Sequence, residues 1–140
     1  MARILAIDYG TKRCGIAVTD PLQIIAGGLT TVPTAELLPF LENYLAEEAV
    51  ETIVVGQPFH LDGTPAQLTP QIRGLVRQLK RRFPQVHIAL QDERLSSEEA
   101  KKVILASGAK KKKRRDKALV DKVSAAIILQ DYLTTLRNEP

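Results

Sequence analysis

Apolar positions along this chain come in two rhythms, short continuous runs first and helical stripes later. Ile4, Leu5, Ala6 and Ile7 form a run that ends on an acid, Asp8, and residues 15–18 form a second run after Tyr9-Gly10-Thr11-Lys12. Short apolar runs bounded by Gly and polar residues read as strands. The stretch from Arg3 to Asp20 therefore predicts a hairpin with a carboxylate at the end of its first, buried strand. A third extended run covers residues 24–32, is interrupted by Gly27-Gly28 and stops at Pro33. Paired glycines in a strand mark a bulge or a close backbone approach. Three strands with short links predict an antiparallel meander at the start of a sheet.

Beyond Pro33 the period becomes helical. Thr34 can cap a helix over about residues 35–50, with Leu37, Leu38, Leu41 and Leu45 at helical spacing and Glu36, Glu42, Glu47 and Glu48 left for water. Pro39 has to fall near its first turn. Thr52-Ile53-Val54-Val55-Gly56 is the continuous apolar run expected of a strand covered on both faces, and a helix followed by such a strand signals α/β wiring. After a loop at residues 57–65, a helix over about 67–83 carries Leu68, Ile72, Leu75, Val76 and Leu79 on one side. Arg73, Arg77, Lys80 and Arg81 form a cationic stripe on the other, read first as a solvated face and alternatively as a phosphate contact. Pro84 ends that helix, and Val86-His87-Ile88-Ala89-Leu90 is the next strand, running straight into Gln91-Asp92-Glu93-Arg94. Ser96 with Glu99 forms a capping box for a helix stopped by Gly108, which leaves Glu93 in the link between strand and helix. A last helix runs from about Lys117 to Leu136, with Asp121, Ala125 and Ile128 on one face.

Composition narrows the class. A length of 140 residues, 44% hydrophobic and 26% charged, suits one soluble globular domain over residues 1–140. No segment approaches the roughly 18 consecutive apolar residues of a membrane span, and the start MARILAIDYG has an acid where a signal peptide needs an apolar stretch. A cytoplasmic protein is expected. Cys14 is the single cysteine, so neither an intrachain disulfide nor a thiolate metal cluster can form. The formal charge of +4 is modest, but its placement is not even. Lys110, Lys111, Lys112, Lys113, Arg114 and Arg115 form an unbroken cationic block of the kind that attracts polyanions.

An anion beside a buried strand is costly unless compensated. Asp8 therefore needs a partner, either Lys12 or Arg13 or a metal ion. Three acids are predicted at inward or edge positions of separate elements: Asp8 on the first strand, Glu93 after the fifth and Asp121 on the last helix. Taken singly, each has a plainer reading, as a turn or cap residue for Asp121 and as a partner of Arg94 for Glu93. Asp20, before Pro21, reads as a turn former that could touch a metal at its margin. Together, the three acids would repel one another unless divalent cations intervened, and carboxylate oxygens suit Mg2+ or Mn2+. Two such ions can activate water and stabilise the leaving oxygen in phosphodiester hydrolysis.

DYGTKRCGIAVTD, GQPFHLDGT, DERLSS and VDKVSAAIILQ resemble, in order and spacing over essentially the whole chain, the YqgF/RuvX-like bacterial family. That family is associated with Holliday junction resolution and with processing of pre-16S rRNA. The resemblance implies an RNase H-like α/β fold, a mixed five-stranded sheet whose first three strands are antiparallel, flanked by about four helices. It implies that Asp8, Glu93 and Asp121 are the metal-binding catalytic triad, for two Mg2+ or Mn2+ ions. Lys12, Arg13 and Arg94 match basic positions of the family motifs that contact phosphate or balance the acids. Cys14 stands where an aliphatic residue is usual and Ser97 where Thr is common. The expected activity is endonucleolytic cleavage of structured nucleic acid, 5′-end trimming of pre-16S rRNA ahead of resolution of branched DNA, by a monomer or weak homodimer. Two other classes stay open. Asp8-Tyr9-Gly10-Thr11 also resembles the first phosphate motif of the actin and sugar-kinase fold, which needs two lobes, and a non-catalytic RNA-binding assembly factor is the third.

Overall fold

The computed structural model describes residues 2–57, 69–92 and 117–138. The meander is β1 (Arg3–Asp8), β2 (Arg13–Thr19) and β3 (Ala26–Pro33), followed by a 3-10 turn (Thr34–Glu36), α1 (Leu37–Glu47) and β4 (Val50–Gln57). Then come α2 (Thr69–Arg82), β5 (His87–Asp92) and a long helix, α3 (Lys117–Asn138). The strands form one sheet in the order β3-β2-β1-β4-β5. β2 is antiparallel to β1 and β3, whereas β4 is parallel to β1 and β5. The expected mixed five-stranded sheet is thus present. The helix expected between Ser96 and Gly108 lies outside the described residues.

Strand alternation divides the core in two. Leu5 and Ile7 of β1 join Cys14, Ile16, Ile53 and Ile88 under α1 and α2, packed by Leu37, Leu41, Ile72, Leu75 and Leu79. Ile4 and Ala6 point the other way, with Ala17 and Val54, onto Ala125, Ile128, Leu129 and Leu133 of α3. Three fully buried alanines, Ala6, Ala17 and Ala125, let α3 lie close on the middle of the sheet. β1 carries core on both faces, which is why residues 4–7 read as unbroken apolar sequence.

Several boundaries differ from the sequence reading for local reasons. The third strand starts at Ala26, two residues late, because the Asp20 carboxylate accepts the backbone N–H groups of Leu22, Ile24 and Ile25 and folds residues 20–25 into a turn. The expected bulge is present: Ile16 pairs with Thr30 and Ala17 with Gly28, leaving Leu29 extra. Thr34 makes no side-chain cap, and α1 begins at Leu37, so that Pro39 falls in the first turn, where its missing N–H is harmless. Val50 belongs to β4 rather than to the helix.

Candidate active site

Because β1, β4 and β5 are parallel, their last residues, Asp8, Gln57 and Asp92, emerge at one edge of the sheet. β2 runs the opposite way and brings Arg13, together with the turn at residues 9–12, to the same edge. The carboxyl edge of an open α/β sheet is where ligands bind.

Asp8 is half-buried there. It pairs with Gly15 of β2, and on its other side Ile7 pairs with Val55, so Gly56 is the next residue along β4. Both glycines are buried. The carboxylate therefore stands between two strand positions that carry no side chain. Alternation from Ile4 and Ala6 puts Asp8 on the α3 face of the sheet. Arg13, two residues before Gly15, falls on that same face, about 7–8 Å away by the diagonal spacing of antiparallel strands. Lys12 is exposed in the adjoining turn.

That turn is held in place from outside itself. A Cβ on Gly10 would lie 2.4 Å from the Arg13 carbonyl oxygen, so only glycine fits. The Gly10 carbonyl accepts a hydrogen bond from the Thr34 hydroxyl at 2.6 Å, and the Lys12 carbonyl accepts one from the Thr34 N–H at 3.0 Å. The Cys14 thiol lies 3.5 Å from the same hydroxyl. Thr34, which sequence periodicity marks as a helix cap, instead pins the loop that carries Lys12. No local pattern announces a bond spanning 24 residues.

The other expected site residues divide as follows. Glu93 and Arg94 lie outside the described residues, as do Lys110, Lys111, Lys112, Lys113, Arg114 and Arg115. Asp121 lies in α3, one turn before Ala125, on the i, i+4 row that continues through Leu129 and Leu133; its side chain is outside the described set. Among the described residues, no three His, Cys, Asp or Glu side chains gather as a metal site. Asp20 is placed away from Asp8. It follows β2 at the edge where β1 begins, six β1 residues from Asp8, or about 20 Å at strand rise. Its carboxyl is held below the usual range, first by the Ile25 N–H and further by those of Ile24 and Leu22. It is a turn former and nothing at the carboxyl edge. Arg73, Arg77, Lys80 and Arg81 are all exposed on α2, as a solvated stripe requires.

Sequence periodicity also missed Tyr9. It follows Asp8 and packs against the opposite layer, with the α1 and α2 core. The alternation of a strand carried one residue further would have found it.

Residues 2–135 match the family profile described as RuvX, Holliday junction resolvase. A protein of Christiangramia forsetii, named as a candidate pre-16S rRNA nuclease, is 53% identical over 133 residues, covering 95% of this chain and 98% of that protein. A Porphyromonas gingivalis protein of the same name is 54% identical over 133 residues, covering 95% and 96%. Among solved structures, T. thermophilus RuvC in complex with a Holliday junction substrate superposes with a TM-score of 0.58 at 17% identity, covering 99% of this chain and 98% of that one. That last likeness is one of fold, the RNase H-like sheet and helices expected from the motifs.

Proposed function

This chain belongs to the RuvX family, and we propose that it is a divalent-metal-dependent endonuclease that cuts structured RNA, trimming the 5′ end of a 16S rRNA precursor. The observation that carries the reading is Asp8: an acid at the carboxyl edge, between Gly15 and Gly56, beside Arg13 of β2 and the turn that bears Lys12. The names of the relatives from Christiangramia forsetii and Porphyromonas gingivalis favour RNA as the substrate.

A hard cation fits this donor chemistry. The carboxylate of Asp8 is an oxygen ligand, both its strand neighbours are glycines, and no described cluster of His or Cys offers a softer site. Asp8, Glu93 and Asp121 would hold Mg2+ or Mn2+, which when bound activates water and stabilises the leaving oxygen. Two placements support that grouping. Ala6 and Ala125 share one cluster. Asp8 is two residues beyond Ala6, about 6.6 Å along a strand, and Asp121 is one turn before Ala125, about 6 Å along a helix. Gln91 occupies an α3-face position of β5, since its neighbour Ala89 but one packs with α3, and Glu93 comes two residues later in the sequence.

The chain's own groups would act on the phosphate. Lys12 and Arg13 bind its oxygens, Arg13 from the same face as Asp8, with Arg94 as a further contact. Lys110, Lys111, Lys112, Lys113, Arg114 and Arg115 grip the backbone, a sequence-independent and salt-sensitive contribution. No described helix is long and apolar enough to cross a membrane. A monomer or weak homodimer in the cytoplasm is sufficient for single cuts in RNA.

The test is cleavage of a pre-16S rRNA fragment with Mg2+ or Mn2+ by the wild type and by Asp8→Asn and Glu93→Gln. Loss of cutting in both variants, with folding intact, is expected. Equal cutting by Asp8→Asn would overturn the mechanism. The family description favours a second reading, resolution of a four-way DNA junction, which the same assay separates by running that junction beside the RNA. Growth complementation by a variant lacking all three acids would point instead to a non-catalytic assembly role.

A further inference from the structure

Tyr9 and Gly74 mark a second binding feature beside the acid edge. A groove of about 270 Å3 opens between the end of β1, the start of α1 and the flank of α2. Tyr9, Leu38 and Leu75 form its apolar part, and Gln71, Gly74 and Gln78 form its α2 wall. Gln71, Gly74, Leu75 and Gln78 stand at i, i+3, i+4 and i+7, a single helix face. The volume is just below the roughly 300–1,000 Å3 of sites for drug-sized ligands, which suits one ring system.

Gly74 is the telling residue. It sits inside α2, where glycine costs stability relative to alanine. A Cβ built on it meets no described atom within 4 Å, so packing among the described residues does not demand a glycine. Its lack of a side chain keeps the groove open. Among the described residues the lining carries no charge, unlike the Lys12 and Arg13 side of the edge, a chemistry that suits a base better than a phosphate. It offers an aromatic ring, an aliphatic floor and two carboxamides, each able both to donate and to accept.

We propose that this groove receives one unstacked nucleobase of the RNA, next to the phosphate held at Asp8. The proposal rests on the nuclease reading above and deepens it. Asp8 and Tyr9 are consecutive, and the strand end turns them to opposite faces of the sheet. A strand of RNA crossing the carboxyl edge presents its phosphate to the Asp8 side and a neighbouring base to the Tyr9 side. The ring of Tyr9 supplies a stacking surface, and Gln71 and Gln78 meet the hydrogen-bonding edge of the base, as single-stranded RNA is usually read.

The experiment measures binding without cleavage, using full-length Asp8→Asn with a short single-stranded precursor RNA in which each nucleotide in turn is made abasic. One position should lower affinity about tenfold, the size of one base-stacking contact. Adding Gly74→Leu, which fills the groove from an open helix position, should lower affinity for the intact RNA equally and abolish the penalty at that position. Gly74→Ala should raise the unfolding temperature while weakening the RNA, a pairing that a merely structural glycine does not produce. Equal affinity for all the abasic RNAs, or an abasic penalty unchanged by Gly74→Leu, overturns the groove while leaving the nuclease reading standing. Failure to bind any of the RNAs overturns both.

Discussion

The Thr34 hydroxyl donates to the Gly10 carbonyl at 2.6 Å, tying the turn after β1 to the start of the helical layer. With the Thr34 N–H on the Lys12 carbonyl, it makes the turn that carries Lys12 a braced one rather than a loose one. Thr34→Val keeps the shape and removes the donor, so the Gly10 carbonyl loses its partner. A loss of about 1–2 kcal/mol in denaturant unfolding is expected, together with a raised KM for RNA as Lys12 loosens.

Gly10→Ala tests the same turn from inside. The added methyl would sit 2.4 Å from the Arg13 carbonyl oxygen, so backbone must move. A cost of about 1–3 kcal/mol is expected, and cleavage should fall further than in Thr34→Val because Arg13 itself is displaced. A variant with full stability and full rate would show that the turn is freer than its contacts imply.

Metal dependence should register in stability as well as in rate. A ligand that binds only the folded state raises the unfolding temperature, so Mn2+ should stabilise the wild type and leave Asp8→Asn unmoved. The same substitution should slow cutting at least about 100-fold, the scale of losing one preorganised electrostatic contact. Calorimetry with and without the ion checks the first expectation independently of any assay on RNA.

Ala125 lies fully buried against the sheet beside Ala6 and Ala17. Ala125→Leu should cost about 1–3 kcal/mol by overpacking and lift α3 from the strands. If Asp121 belongs with Asp8, the rate should fall by more than the lost stability accounts for under conditions where the variant is fully folded. An unchanged rate in folded Ala125→Leu would separate α3 from the site.

Asp20 gives a pH signature at the opposite edge. Its folded pKa is lowered from 3.8, first by the Ile25 N–H. A depressed carboxyl stabilises the folded state above 3.8 and loses that contribution as pH falls through the folded value. Protection of the Ile24 and Ile25 amides from hydrogen exchange should therefore drop on acidification. Asp20→Ala should show low protection at every pH while leaving RNA cleavage unchanged.

Much of this protein was legible without coordinates because its rules are local. Short apolar runs in residues 3–33 and period 3.6 after them announced a meander followed by α/β wiring, and Gly27-Gly28 announced a bulge or close approach, which the pairing resolves as a bulge. Ile4 to Ile7 declared a buried strand, and in the fold each of its sides meets its own core. Asp8 stood out because an acid closing such a run requires compensation. What periodicity could not supply was anything that depends on which elements become neighbours. The parallel pairing of β1 with β4 sets Gly56 beside Asp8, the course of β2 removes Asp20 to the far edge, and the position of α2 brings Gly74 opposite Tyr9. Thr34 illustrates the reason: sequence statistics count its helix-capping value, but in the folded chain a carbonyl 24 residues away competes for the same hydroxyl and takes it.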